Sequence, residues 1–221
     1  MSTVILACGS LERYVDIAQR NRGTDYPVIC VDNKLHAEPE RMKERLTEVL
    51  AEMDEEIDTV LVAMGYCGGS WEKVPHRQKL VIPCVDDCVT LFLHTDDRRC
   101  LNKKASDHMY IFDKTTGDDN FSIPNIRRKL FEEQGEYNGD IVFKSWFGPY
   151  HYLDIIDTGC YDCYSESFVE YAQESADLIF AELNYVEGSN RVLEKLVGGD
   201  WDEQFLVFPP EKDPSLFDFA G

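Results

Sequence analysis

The sequence predicts an α/β fold, with mostly parallel sheets carrying helices on both faces and two Rossmann-like lobes. Three observations carry this. Short apolar strands alternate with amphipathic helices along most of the chain. Several strands run straight into Cys/Gly turns and then into helical spacing. The 221 residues, 43% of them hydrophobic, suffice for one large domain or two small ones. A break near residues 100–125 gives lobes 1–110 and 111–221, with a single continuous domain as the alternative.

Thr3 to Ala7 reads as a buried strand closed by Cys8-Gly9-Ser10, and Leu11, Tyr14, Val15 and Ala18 follow at helical spacing. Tyr26 to Val31 is a second strand. From Pro39, suited to a first helical turn, to Ile57 runs one apolar stripe: Met42, Leu46, Val49, Leu50, Met53 and Ile57. Thr59 to Met64 is a third strand, ending in Gly65-Tyr66-Cys67-Gly68-Gly69. Leu80 to Ile82 is a fourth, followed by Cys84-Val-Asp-Asp-Cys88 and a helix over Val89 to His94. Further on, Met109 to Phe112 reads as a strand, Thr116 to Asn120 as an acidic link, Ile126 to Gln134 as a helix and Ile141 to Lys144 as a strand. Then come a strand at Leu153 to Ile156, a helix bearing Phe168, Tyr171, Ala172 and Ser175, and a strand at Leu178 to Leu183. A helix over Asn190 to Val197 and a strand at Phe205 to Phe208 complete the pattern.

The formal charge is −20, from 42 acidic against 22 basic residues. So acidic a surface repels phosphate backbones and anionic lipid, which argues against nucleic acid and membrane surfaces as partners. No apolar stretch approaches the ~20 residues of a membrane span. The N-terminal apolar run has no basic segment before it, so it reads as a first strand and not a signal peptide, pointing to the cytoplasm.

In that compartment the eight cysteines stay reduced. Cys8, Cys67, Cys84 and Cys88 all fall at the ends of predicted parallel strands. Those ends share the carboxyl edge, where open α/β sheets bind ligands. Adjacent strands lie ~5 Å apart, so these thiols can converge on one metal or cluster. Gly9, Gly65 and Gly68 let the backbone come close and leave room for a bulky group. Asp87 is a candidate oxygen ligand, a base that orients a ligand or takes its proton, or a helix cap, with Asp86 favoured as the cap. Cys160 and Cys163 repeat the pattern at a later strand end, with a metal-chelating and redox spacing. Cys30 and Cys100 read as buried core residues. His36 and His76 fall in polar loops. The run Trp146 to Tyr152 reads as core or as a pocket wall. No residue is singled out as catalytic.

The stretches "ILACGSLE", "LHAEPERM", "GYCGG", "VIPCVDDC", "IDTG" and "GGDWDEQFLVFPP" resemble, in order and spacing, the domain-of-unknown-function family 1638 from about residue 4 to 210. Its genes recur in anaerobic bacteria and archaea, often beside corrinoid-dependent methyltransferases and their corrinoid proteins. By that association the resemblance implies a role around methyl-group metabolism. Cys8, Cys67 and Cys88 stand where the family motifs carry cysteine. Asp86 stands where the family commonly has His, while Cys84 and the pair Cys160/Cys163 are particular to this chain.

The expected function is therefore a thiolate metal- or iron–sulfur-binding protein of anaerobic metabolism, with zinc and an iron–sulfur cluster both open. A corrinoid enters only as a partner-borne cofactor. The alternatives are a non-catalytic accessory for a corrinoid protein, methyltransferase or other metalloprotein, and a metal-free α/β protein that binds a small organic ligand.

Overall fold

A computed structural model describes residues 2–113, 122–210 and 212–220. The expected link at Thr116 to Asn120 lies outside them. The chain divides into two compact units, Met1–Lys103 with Ser189–Gly221, and Lys104–Gly188. The break therefore does not fall once, near residue 110. The chain leaves the first unit and returns to it, because the last strand pairs with a strand of the first sheet.

The first unit is built on a five-stranded sheet in the order β2-β1-β3-β4-β8. The strands are β1 (Ser2–Cys8), β2 (Val28–Val31), β3 (Ile57–Ala63), β4 (Lys79–Pro83) and β8 (Phe205–Phe208). β1 to β4 are parallel, and β8 closes the edge antiparallel to β4. Val4 to Ala7, Val60 to Ala63 and Leu80 to Ile82 are buried throughout. Continuous apolar runs of this kind suit strands covered on both faces. Helix α1 (Glu12–Arg22) leads from β1 outward to β2, and α2 (Pro39–Glu52) leads back across β1 to β3. Right-handed crossovers in opposite directions put these two helices on opposite faces. The stripe that begins α2 ends sooner than its periodicity implies: Met53 is extended and Ile57 opens β3.

A buried polar knot ties this unit together. His94, at the end of α3 (Cys88–Leu93), places Nε2 3.0 Å from the Cys100 carbonyl and Nδ1 3.1 Å from Gln204 Nε2. A neutral imidazole satisfies both, donating from Nε2 and accepting at Nδ1. Burial lowers the His94 pKa, with Lys103 and Arg191 adding to the effect against Asp96 and the Cys100 bond. The unfolded chain then binds the extra proton first. Stability from His94 is complete above the ordinary histidine value of 6.5 and is lost as pH falls below it toward the folded value. Denaturation midpoints should fall on acidification below about pH 6.5, and His94→Gln should flatten that dependence.

The second unit holds a parallel three-stranded sheet, β5 (His108–Ile111), β6 (Tyr152–Asp157) and β7 (Glu182–Glu187), in that order. Both crossovers, α4 (Ile123–Phe147) and α5 (Glu166–Ile179), run in the same direction, and the two helices pack together. They therefore share one face of this sheet. One core cluster of this unit is Ile123, Leu130, Phe143, Phe147, Leu153, Ala176 and Ile179, and another is Ile155, Cys163, Phe168 and Ala172.

Two strand assignments are corrected here. Ile141 to Lys144 is helical, because Gly139, Phe143 and Phe147 bury at i, i+4 and i+8; the helix is broken only at Gly135. Leu178 and Ile179 finish the apolar face of α5, and a left-handed Phe180 stops the helix before β7 begins. The first unit ends in α6 (Arg191–Gly198), β8 and a short α7 (Leu216–Ala220). Among the described residues, no helix is long and apolar enough to cross a membrane.

Candidate functional site

The first sheet reverses its direction of growth between β1 and β3: β2 lies on one side of β1, while β4 lies beyond β3. In open α/β sheets such a switch point, at the carboxyl ends, is where ligands bind. Cys8 ends β1, and Cys67 lies four residues past the end of β3. Cys88 opens α3, reached through the loop that follows β4.

The loops after β3 and β4 are fastened backbone to backbone. Tyr66 N–H donates to the Val85 carbonyl (2.9 Å), and Cys67 N–H to the Asp86 carbonyl (2.7 Å). A Cβ on Gly65 would stand 2.7 Å from both the Cα and the N of Asp87. Only glycine permits that approach. Cys67 itself holds φ 48°, left-handed and unusual for a residue with a side chain. Each glycine expected to make room for a ligand has a packing reason instead. Gly65 meets Asp86–Asp87, a Cβ on Gly9 would lie 3.2 Å from the Val31 carbonyl, and one on Gly68 would lie 3.0 Å from the Pro39 ring.

Burial sets the charge state of two of these thiols. Cys67 is buried, and that burial pushes its thiol far above the ordinary range. Cys8, Asp87 and Asp86 push it further, against a backbone hydrogen bond from Gly65. Cys88 is raised well above the ordinary value in the same way, first by burial, then by Cys8, Asp87 and Cys67. The Cys8 sulfur lies 3.2 Å from Ser10 Oγ. The Cys67 and Cys88 thiols are thus held neutral, in surroundings that disfavour further negative charge. A bound cation would invert this balance by releasing thiol protons.

The donor set, soft sulfur with carboxylate nearby, fits zinc or an iron–sulfur centre. The positions are not drawn in around one ion, however: no group of three or more His, Cys, Asp or Glu among the described residues is placed to hold a metal.

The other candidates have partners of their own. Cys84 is buried under α7, where its thiol donates to the Phe219 carbonyl (3.5 Å) and Arg99 partly offsets the rise due to burial. Its electrostatic partners are Arg99 and Cys100, not Cys8, Cys67 or Cys88. Asp87, not Asp86, caps α3: its side chain accepts from Thr90 N–H at 2.9 Å. Cys30 is exposed and not buried, because β2 is the edge strand. Desolvation, Glu12, Cys8 and Asp16 still raise its thiol to about 11. Cys100 is part-buried and donates to the Asn102 carbonyl. Both ring nitrogens of His76 meet backbone carbonyls, those of Gln78 and Lys212. In the aromatic run of the second unit, Phe147 is core while Trp146 is exposed. Cys160 and Cys163 belong to the second unit, at the carboxyl end of β6, and Cys163 is buried close to Asp157.

Tyr66 was not anticipated. Its hydroxyl donates to Glu72 (3.0 Å), and its ring lies 4.5 Å from that of Phe219. A tail position 153 residues away leaves no local spacing signal.

Comparison with curated proteins and with solved structures gives no match. A family model does match, over residues 30–197, a span that holds Cys67 and Cys88 and begins after Cys8. The chain belongs to the family described as protein of unknown function (DUF1638).

Proposed function

We propose that this protein binds a soft metal centre through Cys8, Cys67 and Cys88 at the switch point of its first sheet. The observation that carries the proposal is placement: Cys8 ends β1, Cys67 follows β3 and Cys88 opens α3 after β4, all at the carboxyl edge, with Cys67 N–H tied to the Asp86 carbonyl two residues before Cys88. A tetrahedral zinc bonded at ~2.3 Å needs its sulfurs about 3.8 Å apart, whereas a cluster accepts wider spacing. Asp87, fixed as the cap of α3, supplies a carboxylate beside the thiols. Bound there, such a centre would supply electron transfer or an open iron for a substrate. Corrinoid-dependent methyl transfer, as a metabolic setting or through a partner protein, is supported by the family resemblance and by no residue of the site.

Protein purified without oxygen, or reconstituted with iron and sulfide, is the test. Cys8→Ser, Cys67→Ser and Cys88→Ser should each lose bound metal, while Cys84→Ser and Cys30→Ser should keep it. Equal retention in all five variants would refute the assignment. Because the Cys67 and Cys88 thiols are raised, uptake should also release protons and strengthen as pH rises, which calorimetry in buffers of different ionisation enthalpy would read.

A further inference from the structure

The second unit presents a separate cavity at the carboxyl edge of its own sheet. Asp157 ends β6, Glu187 ends β7, and the two stand in register as cross-strand partners. Like charges directly opposite each other destabilise a strand pair. Both residues line a cavity of about 210 Å³, together with Tyr164, Tyr185 and Val186, with no Lys or Arg in its wall.

The two tyrosines leave much of their rings to solvent, at 63% and 41% exposure. They stack on each other with centroids 5.0 Å apart and planes 14° from parallel. Their hydroxyls are anchored as well: Tyr164 donates to Asp157 Oδ2 (2.9 Å) and Tyr185 to the Cys163 carbonyl (3.4 Å). The bond to Asp157 raises the Tyr164 phenol to about 12, so the ring stays neutral and its face electron-rich. Asp157 also accepts from Gly159 N–H (3.1 Å), at a turn where Gly159 takes φ 69°. The platform is therefore assembled before anything binds.

We propose that this cavity binds a small organic cation, an alkylated ammonium headgroup, on the Tyr164–Tyr185 stack with Asp157 and Glu187 as counter-charges. Aromatic faces attract weakly hydrated cations, and the carboxylates supply the matching field. A hard metal ion would need a closer cage of oxygens, and no such group exists among the described residues. The volume falls below the ~300–1,000 Å³ of typical ligand pockets and suits a headgroup.

The probe is choline chloride titrated into the intact protein and followed by tyrosine ring resonances, with sodium chloride at matched ionic strength and the uncharged carbon isostere of choline as controls. Saturable millimolar binding of choline alone is expected. Tyr185→Leu should weaken it roughly 2- to 30-fold, the range of a cation–π contact. Glu187→Gln, nearly isosteric and at an exposed strand end, should weaken it as well and report even if the tyrosine variant misfolds. Absence of saturation, equal binding of the isostere, equal competition by sodium, or indifference to both substitutions would each overturn the proposal.

Discussion

Trp71→Ala is expected to destabilise the protein by about 3–5 kcal/mol, the cost of emptying a large aromatic site in a core. Trp71 is fully buried and is the largest such side chain among the described residues. It lies in the connection from β3 to β4, two residues after the turn Cys67–Gly69. The turn itself has little regular structure, with Cys67, Gly68 and Gly69 all at positive φ. Its position depends on what the following residues bury. The variant should therefore unfold at lower denaturant with an unchanged slope, and Cys67 should react faster with thiol reagents below the transition. A loss under about 1 kcal/mol would show that the loop is held some other way.

Gly65→Ala should cost about 2–3 kcal/mol, an overpacking effect of one methyl group. The size follows from what the new Cβ meets. At 2.7 Å it meets the Asp87 backbone, which cannot rotate aside as a side chain would. The loops after β3 and β4 must part, and the 2.9 Å and 2.7 Å hydrogen bonds between them are the first to go. Cys67 and Cys88 move apart with them. The variant should thus lose metal out of proportion to its loss of stability, as measured by metal content alongside the denaturation midpoint. Normal stability and normal metal content together would mean that the two loops can separate freely.

The alternation of strands and helices was readable in the sequence because β1, β3 and β4 are continuous apolar runs with Cys/Gly turns behind them. Their shared edge followed from parallel pairing alone. Failure came where two periods overlap. Ile141 and Val142 look like strand residues until Phe143 and Phe147 are seen to bury at helical spacing. Leu178 and Ile179 serve α5 by the same logic. The return of β8 to β4 is long-range, so no local pattern marks it.

Among the cysteines, chain order placed Cys8, Cys67 and Cys88 correctly on one edge. It could not show that Cys84 turns under α7, because Arg99 and the Phe219 carbonyl that receive it are distant or unpatterned in the chain. Edge position explains Cys30: strand order, not strand propensity, left it exposed. Asp86 and Asp87 are equally good caps by composition, and the backbone contact with Gly65 comes at Asp87, the residue that caps α3.

The central claim is that Cys8, Cys67 and Cys88 bind one centre. X-ray absorption at the metal edge, on protein loaded without oxygen, tests it most directly. The expected result is a sulfur shell near 2.3 Å that is unchanged in Cys84→Ser, with the metal edge itself largely lost, and fewer sulfurs around any metal that stays, in Cys67→Ser. A first shell of nitrogen and oxygen only, or a sulfur shell indifferent to Cys67, would contradict it.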